Sequence, residues 1–166
     1  MDYTARYDSP LGGITLASDG EALVGLWFDG QAHFGAGLSG EISEQRVPVL
    51  EEAARWLDAY FAGRDPGFTP KLAPRGGEFS RRVWQALLGV PFGGTVTYGQ
   101  LAARLGLAPS CARAVGGAVG RNPISLFVPC HRVVGANGSL TGYAGGVERK
   151  AWLLEMEGRK GNESGE

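Results

Sequence analysis

The chain has 166 residues, of which 43% are hydrophobic and 20% are charged, and its formal net charge is −1. This length and composition indicate a soluble globular protein with a core large enough to fold without disulfide or metal support. No apolar run approaches the roughly 20 residues of a membrane span, and residues 1–7 lack the basic and apolar regions of a signal peptide. A cytoplasmic location is therefore expected.

Cysteine and histidine are scarce, and their spacing matches no metal site. The sequence contains Cys111, Cys130, His33 and His131 and no others of either type. A structural disulfide is not expected in a reducing compartment. The sequence therefore predicts free thiols, no metal and no cofactor.

Charge is distributed unevenly along the chain. Most acidic residues lie within residues 1–74, whereas residues 75–132 hold seven arginines and a single acid, Glu78. A local excess of arginine is typical of a surface that meets nucleic-acid phosphates, and a solvated basic face explains it equally well.

The sequence of the first half predicts a β-sheet with a helix packed on it. Residues 3–28 form three alternating runs separated by turns at residues 9–13 and 19–20, a pattern that predicts an antiparallel meander. Residues 50–61 place apolar side chains at helical spacing, and Gly63 ends that helix. The segment 66–77 has the proline and glycine content of a linker, so we divide the chain into domains at 1–78 and 79–158.

The second half is predicted to be helical. Ser80 is a candidate cap for a helix through residue 88, and Thr97 caps a helix over 98–105 that ends at Gly106. A second short helix follows from Pro109 to about Val119. Two short helices joined by a tight turn form a helix-turn-helix, a motif that also occurs as simple helix packing without DNA.

The second helix of this motif is rich in small residues, and each glycine inside a helix costs about 1 kcal/mol relative to alanine. Two explanations remain open: close packing against another element, or a helix slim enough to enter a narrow DNA groove. In the second case Arg113 is the long side chain able to fill the space of an extruded base. The small residues are Ala112, Ala114, Gly116, Gly117 and Ala118.

A thiol and an imidazole are adjacent at Cys130 and His131. They follow an apolar run over residues 124–128, which is a strand or a buried loop, with the strand preferred, and Pro129 fixes the turn. A lone cysteine in such a place is often only a small buried hydrophobe. As a nucleophile it would need a base, because a free thiol titrates at about 8.5.

His131 could supply that base, but neighbours on an extended chain point to opposite sides, so contact would require a turn or a bridging water. Glu155 and Glu157 are both candidates to orient the imidazole, and periodicity does not choose between them. Glu155 lies on a predicted helix over residues 147–156 that is ended by Gly158, and Glu157 lies at the C-terminal end of that helix. A glycine-rich loop at residues 135–146 precedes the helix. Residues 159–166 are predicted to form a disordered tail.

Several ordered motifs together resemble the O6-alkylguanine-DNA alkyltransferases, which are methylated-DNA–protein-cysteine methyltransferases. The similarity covers the whole second half and extends weakly into the first. The motifs are residues 113–118, Asn122-Pro123, Pro129-Cys130-His131-Arg132-Val133, residues 141–146 and Glu157-Gly158, with residues 9–12 and 25–28 in the first half.

The resemblance implies an α+β fold: a ribonuclease H-like α/β domain of antiparallel sheet plus helix, then a mostly helical domain with a helix-turn-helix. It implies a monomeric, single-turnover DNA repair enzyme that binds double-stranded DNA through the minor groove. Such a protein flips out O6-alkylguanine and transfers the alkyl group irreversibly to Cys130. O4-alkylthymine is left open as a second substrate.

The resemblance also implies roles for individual residues in the chemistry. His131 would take the thiol proton through a water, with Glu157 orienting its ring, and Asn122 would brace the active-site turn. The carbonyls of Cys130 and Val133 would accept from the guanine amino group.

Further residues would hold the base and the DNA. The Ala144 amide would donate to O6, and Tyr143 would line the pocket that receives the flipped base. Tyr98 would contact the flipped base and a phosphate, and Arg113 would occupy the vacated stack. The other residues expected to contact DNA are Ala112, Ala114 and Gly116.

Departures from the family pattern define what else is expected. The chain lacks the residues for the zinc site of some members and the domain that carries a second acceptor cysteine. Ala144 stands where some members have serine, and Cys111 is interpreted as a packing residue. Three alternatives are a lesion sensor without transfer, which Cys130 argues against, a Cys-His-Glu hydrolase, and a transcriptional reader of the major groove.

Overall fold

The structure is a computed structural model that describes residues 1–38, 40–140 and 142–164, the last six without their side chains. Within these residues, the N-terminal half forms a four-stranded sheet in the order β3-β2-β1-β4. The strands β1 (Asp2–Ser9), β2 (Gly12–Ser18) and β3 (Leu23–Phe28) are antiparallel neighbours, as the meander predicted. Strand β4 (Ile42–Glu44) runs parallel to β1 and is too short to show a period in the sequence.

Helix α1 (Pro48–Phe61) packs on one face of this sheet, and its predicted position is confirmed. Leu16 pairs with Ala5 on one side and Leu26 on the other, and this row joins the core that α1 completes with Leu50 and Leu57. Gly63 follows the helix with a φ of +83°, a left-handed conformation that favours glycine.

The predicted helix-turn-helix is confirmed in the C-terminal half. It consists of α3 (Tyr98–Arg104), a 3₁₀ turn (Pro109–Cys111) and α4 (Ala112–Gly120). Thr97 caps α3 as predicted: its Oγ1 accepts from the Gln100 amide, and the Gln100 side chain accepts from the Thr97 amide in return. Helix α2 (Glu78–Leu87) braces the motif through the Trp84 indole, which donates to the Ala118 carbonyl at 2.9 Å.

The predicted cap at Ser80 is wrong. Helix α2 begins at Glu78, and the extended Gly77 is its N-cap, so Ser80 lies inside the first turn. Glu78 places a negative charge at this end, where the helix dipole favours one.

Of the two possibilities for residues 124–128, the preferred buried strand is wrong and the buried loop is correct. Leu126 has a φ of +75°, and the Val128 amide turns back to the Ile124 carbonyl at 3.0 Å, so the segment is a folded loop. Cys130–Arg132 then form a 3₁₀ turn, followed by β6 (Val133–Val134), which pairs in parallel with β5 (Val96–Thr97). This pairing ties the start of the helix-turn-helix to the Cys130 turn.

The last helix is longer than predicted. Helix α5 (Val147–Ser164) passes through Gly158, so a disordered tail starting at residue 159 is wrong for residues 159–164. Residues 165–166 lie outside the described residues. Among the helices that the structure describes, none is long and apolar enough to cross a membrane.

The N-terminal sheet also supports the Cys130 segment directly. The Leu26 amide of β3 donates to the Pro123 carbonyl at 2.8 Å, and Leu26 forms a parallel bridge with Ile124. The Ala32 amide donates to the Ala144 carbonyl at 3.1 Å. Both loops beside Cys130 are therefore held by backbone hydrogen bonds from the first half of the chain.

Candidate active site

Cys130 is a buried free thiol at the start of the 3₁₀ turn. Its side chain is closed in by Asn122 and Ser125 and lies within the electrostatic reach of Lys150. Burial raises the pKa of the Cys130 thiol, and these three neighbours only partly oppose the rise. At neutral pH the sulfur therefore carries its proton, and it needs a base to become a nucleophile.

His131 follows on the same turn and is fully buried. Its Nε2 lies 2.6 Å from Glu157 Oε2 on α5. Glu155, the alternative that the sequence left open, is exposed to solvent. The structure thus brings together Cys130, His131 and Glu157, while Glu155 stays outside the group.

Arg132 completes a buried ionic cluster around Glu157. Its Nε donates to Glu157 Oε1 at 2.8 Å, and a second guanidinium nitrogen lies 3.2 Å from Oε2. Burial alone would raise the pKa of Glu157, but hydrogen bonds and charges from His131 and Arg132 outweigh it and lower the pKa. Glu157 is therefore a carboxylate at neutral pH.

An ionised Glu157 fixes the tautomer of His131. A carboxylate only accepts hydrogen bonds, so Nε2 of His131 must carry the hydrogen that points at it. Burial lowers the pKa of His131, against the opposing effect of Glu157, and this keeps the ring neutral. Nδ1 is then the basic nitrogen, and among the described residues it has no hydrogen-bond partner.

Three polar residues packed around Cys130, His131 and Glu157 were not predicted from the sequence. Arg132 entered the sequence analysis only within a motif, and Lys150 was given no role there. Tyr60 comes from α1 in the other half of the chain, and its hydroxyl donates to Glu157 Oε2. Lys150 is fully buried and its Nζ donates to the Val133 carbonyl at 2.5 Å. Burial lowers its pKa, and the nearby Cys130 opposes that shift. A lysine at a buried helical position was the one available signal in the sequence.

Asn122 braces the active-site segment. Its side-chain amide donates to the Val128 carbonyl at 2.8 Å, and its Oδ1 accepts from the Ile124 amide at 3.0 Å. It therefore closes the folded loop that replaces the predicted strand. Val133 is buried immediately after the turn, with its amide donating to the Cys130 carbonyl.

The remaining predicted residues surround an open cavity of about 940 Å³ between α4, the start of α3 and the glycine-rich loop. Arg113 is exposed at its edge, and Ala114 is exposed outside it. Ala32 and His33 from the first half also line it and were not predicted. The predicted residues in its wall are Tyr98, Ala112, Arg113, Gly116, Tyr143 and Ala144.

The glycines of α4 are not forced by packing within the protein. A methyl group at Gly116 would lie 3.5 Å from the Tyr98 ring, and one at Gly117 would lie 3.4 Å from the Arg121 guanidinium. These are tolerable contacts. The sequence left two explanations for these small residues. Close packing inside the protein is not supported, so the remaining explanation is a helix slim enough to enter a narrow DNA groove.

Within the described part of the chain, no group of three or more His, Cys, Asp or Glu side chains is arranged to hold a metal ion. The chemical groups that the structure assembles are a buried thiol, a neutral imidazole and a carboxylate held by a guanidinium. Tyr143 links them to the open cavity, because it lines the cavity wall and its ring centroid lies 6.5 Å from that of His131.

Comparison with known proteins identifies the family. Residues 3–74 match the ribonuclease-like domain of 6-O-methylguanine DNA methyltransferase, and residues 78–159 match its DNA-binding domain. A methylated-DNA–protein-cysteine methyltransferase of Methanosarcina acetivorans is 48% identical over 94% of this chain and 98% of the relative. One from Mycobacterium leprae is also 48% identical, over 95% of this chain and 93% of the relative.

A solved structure agrees with these relatives. The crystal structure of Mycobacterium tuberculosis OGT in complex with DNA has a TM-score of 0.85 and 44% identity, covering 95% of this chain and 94% of that one. The fold, with its ribonuclease-like first half and helical second half, is thus that of a solved relative. The chain belongs to the 6-O-methylguanine DNA methyltransferase family of DNA repair proteins, which transfer the alkyl group to a cysteine of their own.

Proposed function

We propose that this protein repairs double-stranded DNA by flipping out O6-alkylguanine and moving the alkyl group onto the sulfur of Cys130. The observation that supports this most directly is the buried Cys130–His131–Glu157 arrangement, in which the imidazole keeps a basic Nδ1 while Nε2 points at a carboxylate. The proposal includes a domain division near residue 78, action as a monomer, and a cytoplasmic location that keeps the thiol reduced.

The proton of the thiol leaves first. Because burial keeps Cys130 protonated, His131 accepts this proton at Nδ1, through a bridging water. The resulting imidazolium is stabilised by Glu157 at 2.6 Å. Glu157 remains ionised throughout, since Arg132 holds its charge.

The thiolate then attacks the alkyl carbon attached to O6. A sulfur–carbon bond forms as the carbon–O6 bond breaks, and the electron pair passes into the guanine, which takes up a proton and leaves as an ordinary base. The thioether product offers water no easy leaving group, so the protein is consumed in one turnover.

Backbone groups beside Cys130 can hold the flipped base. The Cys130 carbonyl accepts from the Val133 amide, and the Val133 carbonyl accepts from Lys150, so each oxygen keeps a second lone pair for the guanine amino group. The Ala144 amide would donate to O6, and Tyr143 would cover the base. Tyr98 would contact the base and the adjacent phosphate.

Helix α4 would enter the minor groove. Apart from Arg113, its exposed and half-buried positions are alanines and glycines, a shape that suits close approach to a narrow groove. Ala112, Ala114 and Gly116 would lie against the DNA. The exposed Arg113 would fill the space left by the flipped base, which lowers the cost of unstacking.

An intact-mass measurement tests this function. After incubation with a duplex containing O6-methylguanine, the protein should gain the mass of one methylene, located on Cys130 by peptide mapping, with one equivalent of DNA repaired. Lesion binding with no mass change would indicate a sensor instead. Many turnovers per protein would indicate a hydrolase, and binding to an unmodified operator irrespective of the lesion would indicate a transcriptional reader.

Arg113→Ala should separate base flipping from chemistry. Repair of O6-methylguanine in duplex DNA is expected to slow by about 10-fold or more, because the unstacking cost of a few kcal/mol is no longer offset. Reaction with free O6-benzylguanine, which needs no flipping, should stay within about twofold of the unmodified protein. Single-turnover rates on both substrates provide the measurement.

The exposed Arg64, in the first half of the chain, offers a matched control for the loss of one positive charge. Arg64→Ala should leave both rates unchanged. Equal losses on the duplex and on the free base in Arg113→Ala would contradict the role in flipping.

A further inference from the structure

Tyr60 reaches the candidate active site from the other half of the chain. It lies on α1, is fully buried, and its hydroxyl donates to Glu157 Oε2. The same hydroxyl lies 3.3 Å from His131 Nε2. One phenol thus touches both members of the pair that activates Cys130, and none of the catalytic steps described above uses it.

Three donors compete for one carboxylate oxygen. Glu157 Oε2 accepts from the Tyr60 hydroxyl, from His131 Nε2 and from an Arg132 nitrogen at 3.2 Å. Oε1 accepts from Arg132 Nε and from the Gly93 amide at 3.3 Å. Each donor withdraws charge from the carboxylate, so a strong hydrogen bond from Tyr60 weakens the pull that Glu157 exerts on the His131 ring.

The phenol is suited to this role because it stays protonated. Burial, together with the charge of Glu157, raises the pKa of Tyr60 well above its ordinary value. Its ring is fixed by a stack on Trp56, with centroids 5.1 Å apart, and by edge contacts with Phe61 and Phe92. The hydroxyl is therefore aimed by packing that does not depend on the hydrogen bond itself.

We propose that Tyr60 is a positioning residue for alkyl transfer, which moderates Glu157 so that His131 remains a neutral base with Nδ1 free to receive the thiol proton. This proposal rests on the proposed function. The first half of the chain then takes part in the reaction, because the basicity of His131 depends on Tyr60, a side chain 71 residues away in sequence.

The expected direction of the effect follows from the groups around His131. Those groups are Tyr60 from α1, Glu157 and Lys150 from α5, Tyr143 from the loop, and Cys130 and Arg132 from its own turn. Removing the Tyr60 donor leaves more negative charge on Oε2, which favours the imidazolium over the neutral ring. The pKa of His131 should rise, and the base should be lost at a higher pH.

Tyr60→Phe tests the proposal through a pH profile. As the pH is lowered, the single-turnover rate of methyl transfer should begin to fall at a pH about one unit higher than in the unmodified protein. On that acid limb the variant is then about 10-fold slower, whereas at alkaline pH the two rates converge. A role in packing alone would lower the rate by the same factor at every pH, and that result would overturn the proposal.

Tyr7→Phe is the matched control. Tyr7 also donates its hydroxyl to a carboxylate, Asp58, at 2.6 Å, but this hydrogen bond is exposed and involves neither His131 nor Glu157. Its pH profile should match that of the unmodified protein.

A second variant covers the case in which Tyr60→Phe fails to fold. Site-specific 3-fluorotyrosine at position 60 keeps every contact but is a stronger donor, so the acid limb should move to lower pH. Movement upward, or no movement, would overturn the proposal. If the unmodified protein itself gains no methylene mass from the lesion, the proposed function fails, an outcome distinct from an unshifted pH profile in a protein that does transfer.

Discussion

Cys130→Ser is expected to abolish alkyl transfer, with a loss of at least about 10⁴-fold in the single-turnover rate. A hydroxyl is far less acidic than a thiol, so neutral His131 cannot generate the alkoxide that the transfer would need. The two side chains are similar in size, and the loop held by Asn122 should not change. Affinity for a duplex with O6-methylguanine should therefore persist, as measured by gel shift alongside intact mass.

Cys111→Ser is the matched control for this variant. Cys111 is a half-buried free thiol on the 3₁₀ turn that leads into α4, whereas Cys130 lies on the separate 3₁₀ turn that follows residues 124–128. This variant should accept one methyl group per protein, as the unmodified chain does. Methylation of Cys111 in the Cys130→Ser protein would contradict the assignment of a single acceptor.

Glu157→Gln is expected to cost both stability and activity. The amide removes the anion that pairs with Arg132, whose side chain is almost fully buried, and breaking a buried ion pair on one side costs about 3–5 kcal/mol. The amide nitrogen would also face a donor, either Arg132 Nε or His131 Nε2. The imidazole then loses its fixed tautomer, and transfer should slow by at least about 100-fold.

The same substitution should flatten the acid dependence of stability. The pKa of Glu157 is lowered from 4.5 to about 2 in the folded protein, so its ionised form stabilises the fold. That contribution is fully present above pH 4.5 and is lost as the pH falls toward 2. Urea unfolding over this range should show a steeper loss in the unmodified protein than in Glu157→Gln.

Glu155→Gln serves as the control on the same helix. Glu155 is exposed, so its free energy of unfolding should change by no more than about 0.5 kcal/mol, with an unchanged transfer rate. A Glu155→Gln protein as impaired as Glu157→Gln would mean that loss of charge on α5, rather than the buried pair, is responsible.

The sequence predicted those parts of the fold that depend on neighbours along the chain. The meander, α1 and the helix-turn-helix all show a hydrophobic period, and Thr97 with Gln100 forms a cap readable over four residues. The resemblance added the order of the motifs around Cys130. The predicted strand before Cys130 failed because an apolar run is equally compatible with a folded loop, which here is closed by the Asn122 side chain.

Side chains distant in sequence decided the chemistry of the site. The sequence by itself determined that a thiol and an imidazole are adjacent and that two glutamates could serve them. The resemblance named Glu157. Only the tertiary structure buried Arg132 against that carboxylate, placed Lys150 on the Val133 carbonyl and brought Tyr60 from α1. The physical reason is that local patterns fix backbone conformation over a few residues, whereas the charge and protonation of a buried group depend on every element packed around it.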